Sequence, residues 1–316
     1  MTGRWRPDRL FADDTGLLPP EPQVGYTGVL RSPHARTTAL QAVGGVLAAL
    51  VGYSLLLPLI AAGLLGITWR LLDRPGPLAE YRTAALSYQY VEGMLVAHVA
   101  IGSVILVVMA VVRLVHQRHP RWLSSVQPGF RWRYGFVCAL VALAGLNGIY
   151  WISQLGAEQT WQPGPGAWQW LMAIVLTSPI QAAAEEYLFR GYLMQAIGSV
   201  LRPWLAVLLS AVAFTAMHGT QNPALLADRL GFGLLAGCLV LFTGGLEAAI
   251  AAHAVNNVFA FGYAVLRGGL VETRAIQASD WATTGWNLLA YGLVGLACWS
   301  IGRRMRVASR TPGLAS

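Results

Sequence analysis

The sequence predicts an all-α protein, a polytopic helical membrane bundle of about eight transmembrane helices. Three observations carry that expectation. Of 316 residues, 55% are hydrophobic and 11% are charged, against roughly 25% charged in a soluble domain. The charges are clumped, so that residues 37–69 contain no Asp, Glu, Lys or Arg, well past the ~20 apolar residues that cross a hydrocarbon core of about 30 Å. Only helices or closed barrels satisfy their backbone hydrogen bonds in lipid. Barrel strands alternate between apolar and polar residues, and these runs do not.

The apolar runs place spans at about 39–69, 93–112, 135–155, 169–198, 203–218, 227–243, 245–266 and 284–302. The first is long enough to tilt or to extend past the bilayer, and the fourth contains charges. Trp69, Trp132, Tyr134, Trp151, Trp168, Trp170, Trp204 and Trp286 sit near span ends, the interfacial aromatic pattern. The chain divides into an N-terminal tail over 1–37, a first group of transmembrane helices over 38–165, a motif-bearing segment over 166–267, and a last span with a basic tail over 268–316. No signal peptide is expected, because the polar N-terminal stretch is long and lacks a cleavage-type pattern. No internal repeat is visible.

The net charge of +8 comes from arginine alone, since there is no Lys. A basic chain could point to nucleic acid, but these arginines alternate between loops. With eight spans and a cytoplasmic N-terminus, sixteen fall inside: Arg4, Arg6, Arg9, Arg31, Arg36, Arg113, Arg118, Arg121, Arg131, Arg133, Arg190, Arg202, Arg303, Arg304, Arg306 and Arg310. Five fall outside, at Arg70, Arg74, Arg82, Arg267 and Arg274, and Arg229 is ambiguous. This is a positive-inside bias. It predicts a multi-pass protein of the cell membrane with both termini cytoplasmic, the bilayer as partner, and no nucleic acid. Cys138, Cys238 and Cys298 all fall within spans and show neither metal-ligand nor disulfide spacing; they read as apolar thiols.

Ionisable residues inside a membrane are costly and by default mark function. Three clusters qualify: Glu185-Glu186-Tyr187-Leu188-Phe189-Arg190, Phe214-Thr215-Ala216-Met217-His218 and His253-Ala254-Val255-Asn256-Asn257. Glu186 and Arg190 are four apart with the acid first, the favourable order for an ion pair on one helix face. Glu185 is rotated about 100° away, so one carboxylate is neutralised and the other faces something else. A carboxylate without a cationic partner suits general acid–base work. His253 and Asn257 share a face. At ~1.5 Å per residue, Glu185, His218 and Asn257 all lie roughly 20 Å from the cytoplasmic ends of their helices, and His253 about 14 Å. The side chains can therefore meet.

Such a meeting supports hydrolysis. A carboxylate and an imidazole can hold and deprotonate water, while a second imidazole and a carboxamide can donate to an oxyanion. A metal arrangement is the alternative, with zinc on Glu185, His218 and His253 and water at the open position; no HExxH is present. Among other residues, Glu92, Glu247 and Asp228 read as interfacial, His98 as structural, and His34, His116 and His119 as solvated in loops. Phe214 reads as a packing residue, Asn256 as a helix-packing hydrogen-bonder, and Gly231, Gly233 and Gly237 as close-packing positions.

Glu-Glu-x-x-x-Arg, Phe-x-x-x-His and His-x-x-x-Asn, in that order on successive intramembrane helices, resemble the CPBP family. Its members include CAAX prenyl endopeptidases and bacteriocin-processing proteases. The resemblance covers about 168–265. It extends to Ser178-Pro179-Ile180, Phe189-Arg190-Gly191 and Thr243-Gly244-Gly245, and the first 165 residues carry no motif. The resemblance implies an intramembrane endopeptidase with its catalytic core over 166–267. In it Glu185 would activate water with help from His218, His253 and Asn257 would form the oxyanion site, and Glu186 and Arg190 would be the supporting pair. The mechanism is expected to be glutamate-based with no required cofactor. The partner is a peptide or protein substrate, membrane-embedded or lipidated. The competing reading is a non-catalytic scaffold or a transporter using Glu185 and the histidines as a proton relay, although repeats and broken helices in both halves are not seen.

Overall fold

The computed structural model describes residues 16–219, 221–271 and 278–313; Arg4, Arg6, Arg9 and Arg274 lie outside them. Each apolar run is helical. The helices are α1 (Ala35–Leu71), α2 (Leu78–Leu86), α3 (Val91–Gly102), α4 (Val104–Leu114), α5 (Trp132–Ser153), α6 (Ala167–Glu186), α7 (Met194–Val200), α8 (Pro203–Ala216), α9 (Pro223–Thr243), α10 (Glu247–Leu266) and α11 (Trp281–Arg304). A π-helical turn, Tyr187–Leu193, joins α6 to α7. The described residues contain no strand, only two isolated bridges. Five stretches are long and apolar enough to cross a membrane: Ala35–Leu71, Val91–Leu114, Trp132–Ser153, Pro223–Thr243 and Glu247–Leu266. Pro203–Ala216 is apolar but shorter. The chain is thus a multi-pass helical bundle. The other two expected spans correspond to α6–α7 and α11, which are more polar.

Exposed leucines run along α1, including Leu40, Leu47, Leu55 and Leu59. A bilayer is the solvent that suits such a surface. α1 spans about 55 Å at 1.5 Å per residue, more than the ~30 Å of a hydrocarbon core, the length at which a helix tilts or extends past the bilayer. The core of the bundle is α6 on α10, with α3 on the other side of α6 and α9 against both α8 and α11. Small residues set these distances. A Cβ on Gly233 would stand 2.9 Å from the Ala211 side chain, one on Gly237 2.9 Å from Val207, and one on Gly231 2.4 Å from Leu288. The three glycines do permit close packing of α9 on its neighbours. The tightest approach is elsewhere: a Cβ on Gly93 would stand 1.9 Å from the Ala85 carbonyl oxygen, where α2 packs on α3.

The helix ends are tied together by a few polar locks. Arg131 Nε and Nη2 reach Glu247 at 2.8 and 2.6 Å, and Nη1 donates to the carbonyls of Thr243 and Ala308, each at 3.0 Å. The Glu247 carboxylate also accepts from the Arg131 backbone N–H at 2.9 Å. Glu247 is completely buried at the first turn of α10, where the helix dipole favours an anion. The interfacial reading of Glu247 is therefore corrected: its charge is sustained by a bidentate partner, not by water. Glu92 is likewise buried and paired with Arg74 at 2.8 Å, and Asp228 is half-buried and accepts from Asn287 at 3.0 Å. The two tails pack on one another, with Val24 N–H donating to Thr311 Oγ1 at 2.9 Å and Thr311 N–H to the Val24 carbonyl at 2.8 Å. Tyr26 is fully buried beneath them and its hydroxyl donates to the Leu123 carbonyl.

His116 also departs from its expected place in a solvated loop. It follows α4 directly, is 3% exposed, and its Nε2 lies 3.2 Å from the Tyr192 hydroxyl. Burial, reinforced by the Arg118 cation, pushes its imidazole down to about 4.

Two outcomes follow. Gly93→Ala should lower the thermal midpoint in detergent, by an overpacking cost of about 1–3 kcal/mol, while Gly44→Ala should not, since nothing lies within 4 Å of a Cβ there. Midpoints for the two variants check this directly. For His116 the folded-state value lies below the unfolded one, so the unfolded chain binds the extra proton between pH ~6.5 and ~4. Stability present above this window is lost as pH falls through it. The loss is about 3 kcal/mol, at 1.4 kcal/mol per pH unit. His116→Gln should flatten that acid limb in a pH series of melts.

Candidate active site

The site begins where one helix changes its winding. α6 ends at Glu186, and the next seven residues, Tyr187–Leu193, form a π turn before α7 resumes. Such turns insert a residue into the helical ladder and are common at functional sites. Here the insertion widens the helix just after the two carboxylates.

Glu186 and Arg190 are both completely inaccessible, and Arg190 Nη1 donates to Glu186 Oε1 at 2.9 Å. The guanidinium lies over the Phe214 ring at 4.3 Å and the Phe232 ring at 5.3 Å, the cation–π arrangement that weakly hydrated Arg favours. Glu186 Oε1 also accepts from His253 Nδ1 at 2.8 Å. A carboxylate can only accept from this neighbour, so Nδ1 carries the proton, and the imidazole is oriented with Nε2 turned away. That Nε2 stands 3.5 Å from Glu185 Oε2. The two acids therefore separate as helical geometry requires: Glu186 is enclosed with Arg190, and Glu185 faces a cavity.

The cavity has a volume of about 610 Å³ and is lined by Glu185, His218, His253 and Asn257 together. His218 stands just beyond α8, where its Nδ1 donates to the Phe214 carbonyl at 2.7 Å and its ring packs on Phe214 at 4.5 Å. A carbonyl cannot donate, so Nδ1 holds the hydrogen and the Nε2 lone pair is left for other partners. Asn257 does not touch Glu185 directly. Its Nδ2 donates to Gln181 Oε1 at 2.8 Å, and Gln181 Nε2 donates to Glu185 Oε1 at 2.6 Å. Asn256 bonds to Asn257 Oδ1 at 3.2 Å and accepts from Tyr291 at 2.7 Å, so its hydrogen-bonding reading is met by the last helix.

Residues that sequence reasoning missed complete the walls. Gln181 lies one turn before Glu185; its placement four residues ahead of the acid is the signal that could have found it. Tyr53 of α1, Tyr88, and His98 of α3 also line the cavity. His98 is buried with Nδ1 2.8 Å from Thr177 Oγ1, so it serves as a strut between α3 and α6 as well as part of the wall. Asp228 and Arg229 line the rim near His218, and Arg229 Nη1 donates to the His218 carbonyl at 3.3 Å.

The metal alternative requires Glu185, His218 and His253 to converge on one point. Among the described residues, no three His, Cys, Asp or Glu side chains gather closely enough to hold an ion. His253 has its Nδ1 on Glu186, which leaves Nε2 as the one ring nitrogen it could offer. No step below is routed through a metal.

Removal of Arg190 strands a buried carboxylate, which costs about 3–5 kcal/mol. Arg190→Met should therefore lower the melting midpoint sharply. Glu185→Gln, on the cavity wall, should leave it within a degree or two. Reversed sensitivities in paired melts would contradict the division of the two acids into a structural and a facing group.

Residues 167–259, which include all four cavity-facing candidates and the Glu186–Arg190 pair, match the family model described as type II CAAX prenyl endopeptidase Rce1-like. The CPBP resemblance read from the motifs thus has an independent match over nearly the same segment. YyaK of Bacillus subtilis (strain 168), described as an uncharacterized protein, is 27% identical over 209 residues, which cover 63% of this chain and 70% of its own length. No solved structure matches the chain.

Proposed function

We propose that the chain is an intramembrane endopeptidase of the CPBP type. The observation that carries this is the convergence of Glu185, His218, His253 and Asn257, from three separate segments, on one cavity within an apolar bundle. The match over 167–259 to a CAAX-protease family supports the same reading. The substrate is a peptide or protein, membrane-embedded or lipidated. The arginine distribution supports cytoplasmic termini.

In the proposed cycle, Glu185 accepts a proton from water as the hydroxide adds to the scissile carbonyl carbon. His218, whose Nε2 lone pair faces the cavity, accepts the second hydrogen bond of that water and orients it. The carbonyl becomes an oxyanion, met by Asn257 Nδ2–H and His253 Nε2–H. His253 Nδ1 already donates to Glu186, so a donating Nε2 means an imidazolium. Its charge is balanced: Glu185 and Glu186 supply two negative charges, Arg190 and His253 two positive. As the C–N bond breaks, Glu185 returns its proton to the leaving amine, restoring the starting state. Glu186 and Arg190 do not touch substrate; they hold His253.

The test is cleavage of quenched peptides, prenylated and unprenylated, by the purified chain in detergent. Glu185→Gln should lower kcat/KM by about 10²–10⁴, and Asn257→Ala by about 10²–10³. A chelator should leave the wild-type rate unchanged. Undiminished cleavage by Glu185→Gln would falsify the assignment. Chelator inactivation reversed by zinc would move the chemistry to a metal. A proton-coupled transporter would instead show pH-driven uptake in liposomes, lost in Glu185→Gln, with no cleavage.

A further inference from the structure

We infer that Gln181 is a positioning residue of this site, one that fixes the amide orientation of Asn257 and the carboxylate of Glu185 at once. The inference deepens the protease reading and rests on it. Gln181 sits in α6 one turn before Glu185 and is 8% exposed. Its amide is used at both ends: Nε2 donates to Glu185 Oε1 at 2.6 Å, and Oε1 accepts from Asn257 Nδ2 at 2.8 Å.

The direction of these bonds is dictated by chemistry. An ionised carboxylate can only accept, so Gln181 must turn its NH₂ group to Glu185. Its oxygen then faces Asn257, which must present its own NH₂ group. The Asn257 oxygen is left for Asn256 Nδ2, at 3.2 Å, and the Asn256 oxygen for the Tyr291 hydroxyl, at 2.7 Å. One negative charge thus sets the sense of every amide in a chain drawn from α6, α10 and α11. The chain matters because a carboxamide can flip. Flipped one way, Asn257 offers N–H to an oxyanion; flipped the other, it offers a carbonyl oxygen that repels it. Gln181 admits only the first. Asn257 Nδ2 uses one hydrogen on Gln181 and keeps its second for the reacting carbonyl.

Gln181→Met keeps the length and the helix-forming character of the side chain but can neither donate nor orient. Gln181→Glu can still accept from Asn257 but opposes Glu185 with a like charge. On a peptide that the wild type cleaves, both should lower kcat per folded molecule by about 10- to 100-fold with KM within about twofold. A merely structural glutamine would lower the amount of folded protein and leave kcat per folded molecule alone. The decisive readout is a double-mutant cycle with Asn257→Ala. Because Gln181 acts through both partners, Gln181→Met should cost several-fold less in the Asn257→Ala background than in the wild type, the remaining loss being the part that acts on Glu185. Full kcat in both Gln181 variants, or the same fold-loss in both backgrounds, overturns the inference. If Gln181→Met fails to fold, Gln181→Leu carries the cycle. Where Gln181→Met keeps full kcat while Glu185→Gln is inactive, only this inference fails. Where Glu185→Gln remains active, the protease assignment itself falls.

Discussion

A guanidinium and a carboxylate with no access to water, Arg190 and Glu186, are the contact on which the rest of this site depends. Neither could be buried alone, since an isolated ion in an apolar interior costs many kcal/mol. Together they are tolerated because the pair is short, the cation lies over the Phe214 and Phe232 rings, and the anion has a second donor in His253. That second donor joins the pair to the cavity wall. It orients an imidazole on α10 from a charge on α6, across the most extensive helix contact in the bundle. It also leaves Glu185 as the acid that Arg190 does not neutralise.

Much of this was legible beforehand, for a physical reason. Lipid removes every alternative for the backbone, so long apolar runs translate directly into helices. The 100° offset between adjacent residues divides Glu185 from Glu186 without knowledge of the fold. The depth of each candidate along its helix followed from the rise per residue, which is why side chains from separate helices could be expected to meet.

The rest depended on contacts far apart in the chain. Glu247 looked interfacial because it opens a helix after a Gly-Gly turn, and its partner Arg131 is more than a hundred residues away. His116 opens a polar-looking stretch, yet Tyr192, far along the sequence, covers it. The π turn has no marker in composition. Gln181 carries no charge, so its place one turn ahead of Glu185 gains meaning only once Asn257 is seen to lie beside it. The tails read as loose polar ends, whereas Val24 and Thr311 close them on one another.

The cavity is composite, and this bears on what counts as a working unit. The segment that matches the family model ends at residue 259 and begins at 167. Yet Tyr53, Tyr88 and His98 come from before it, and Tyr291 from after it. Excised, that segment would keep its acids and imidazoles but would open one flank of its chamber to lipid and lose the outermost donor of its amide chain. The motif-free first half therefore supplies part of the cavity wall, and a boundary drawn around the recognisable residues would cut through the chamber.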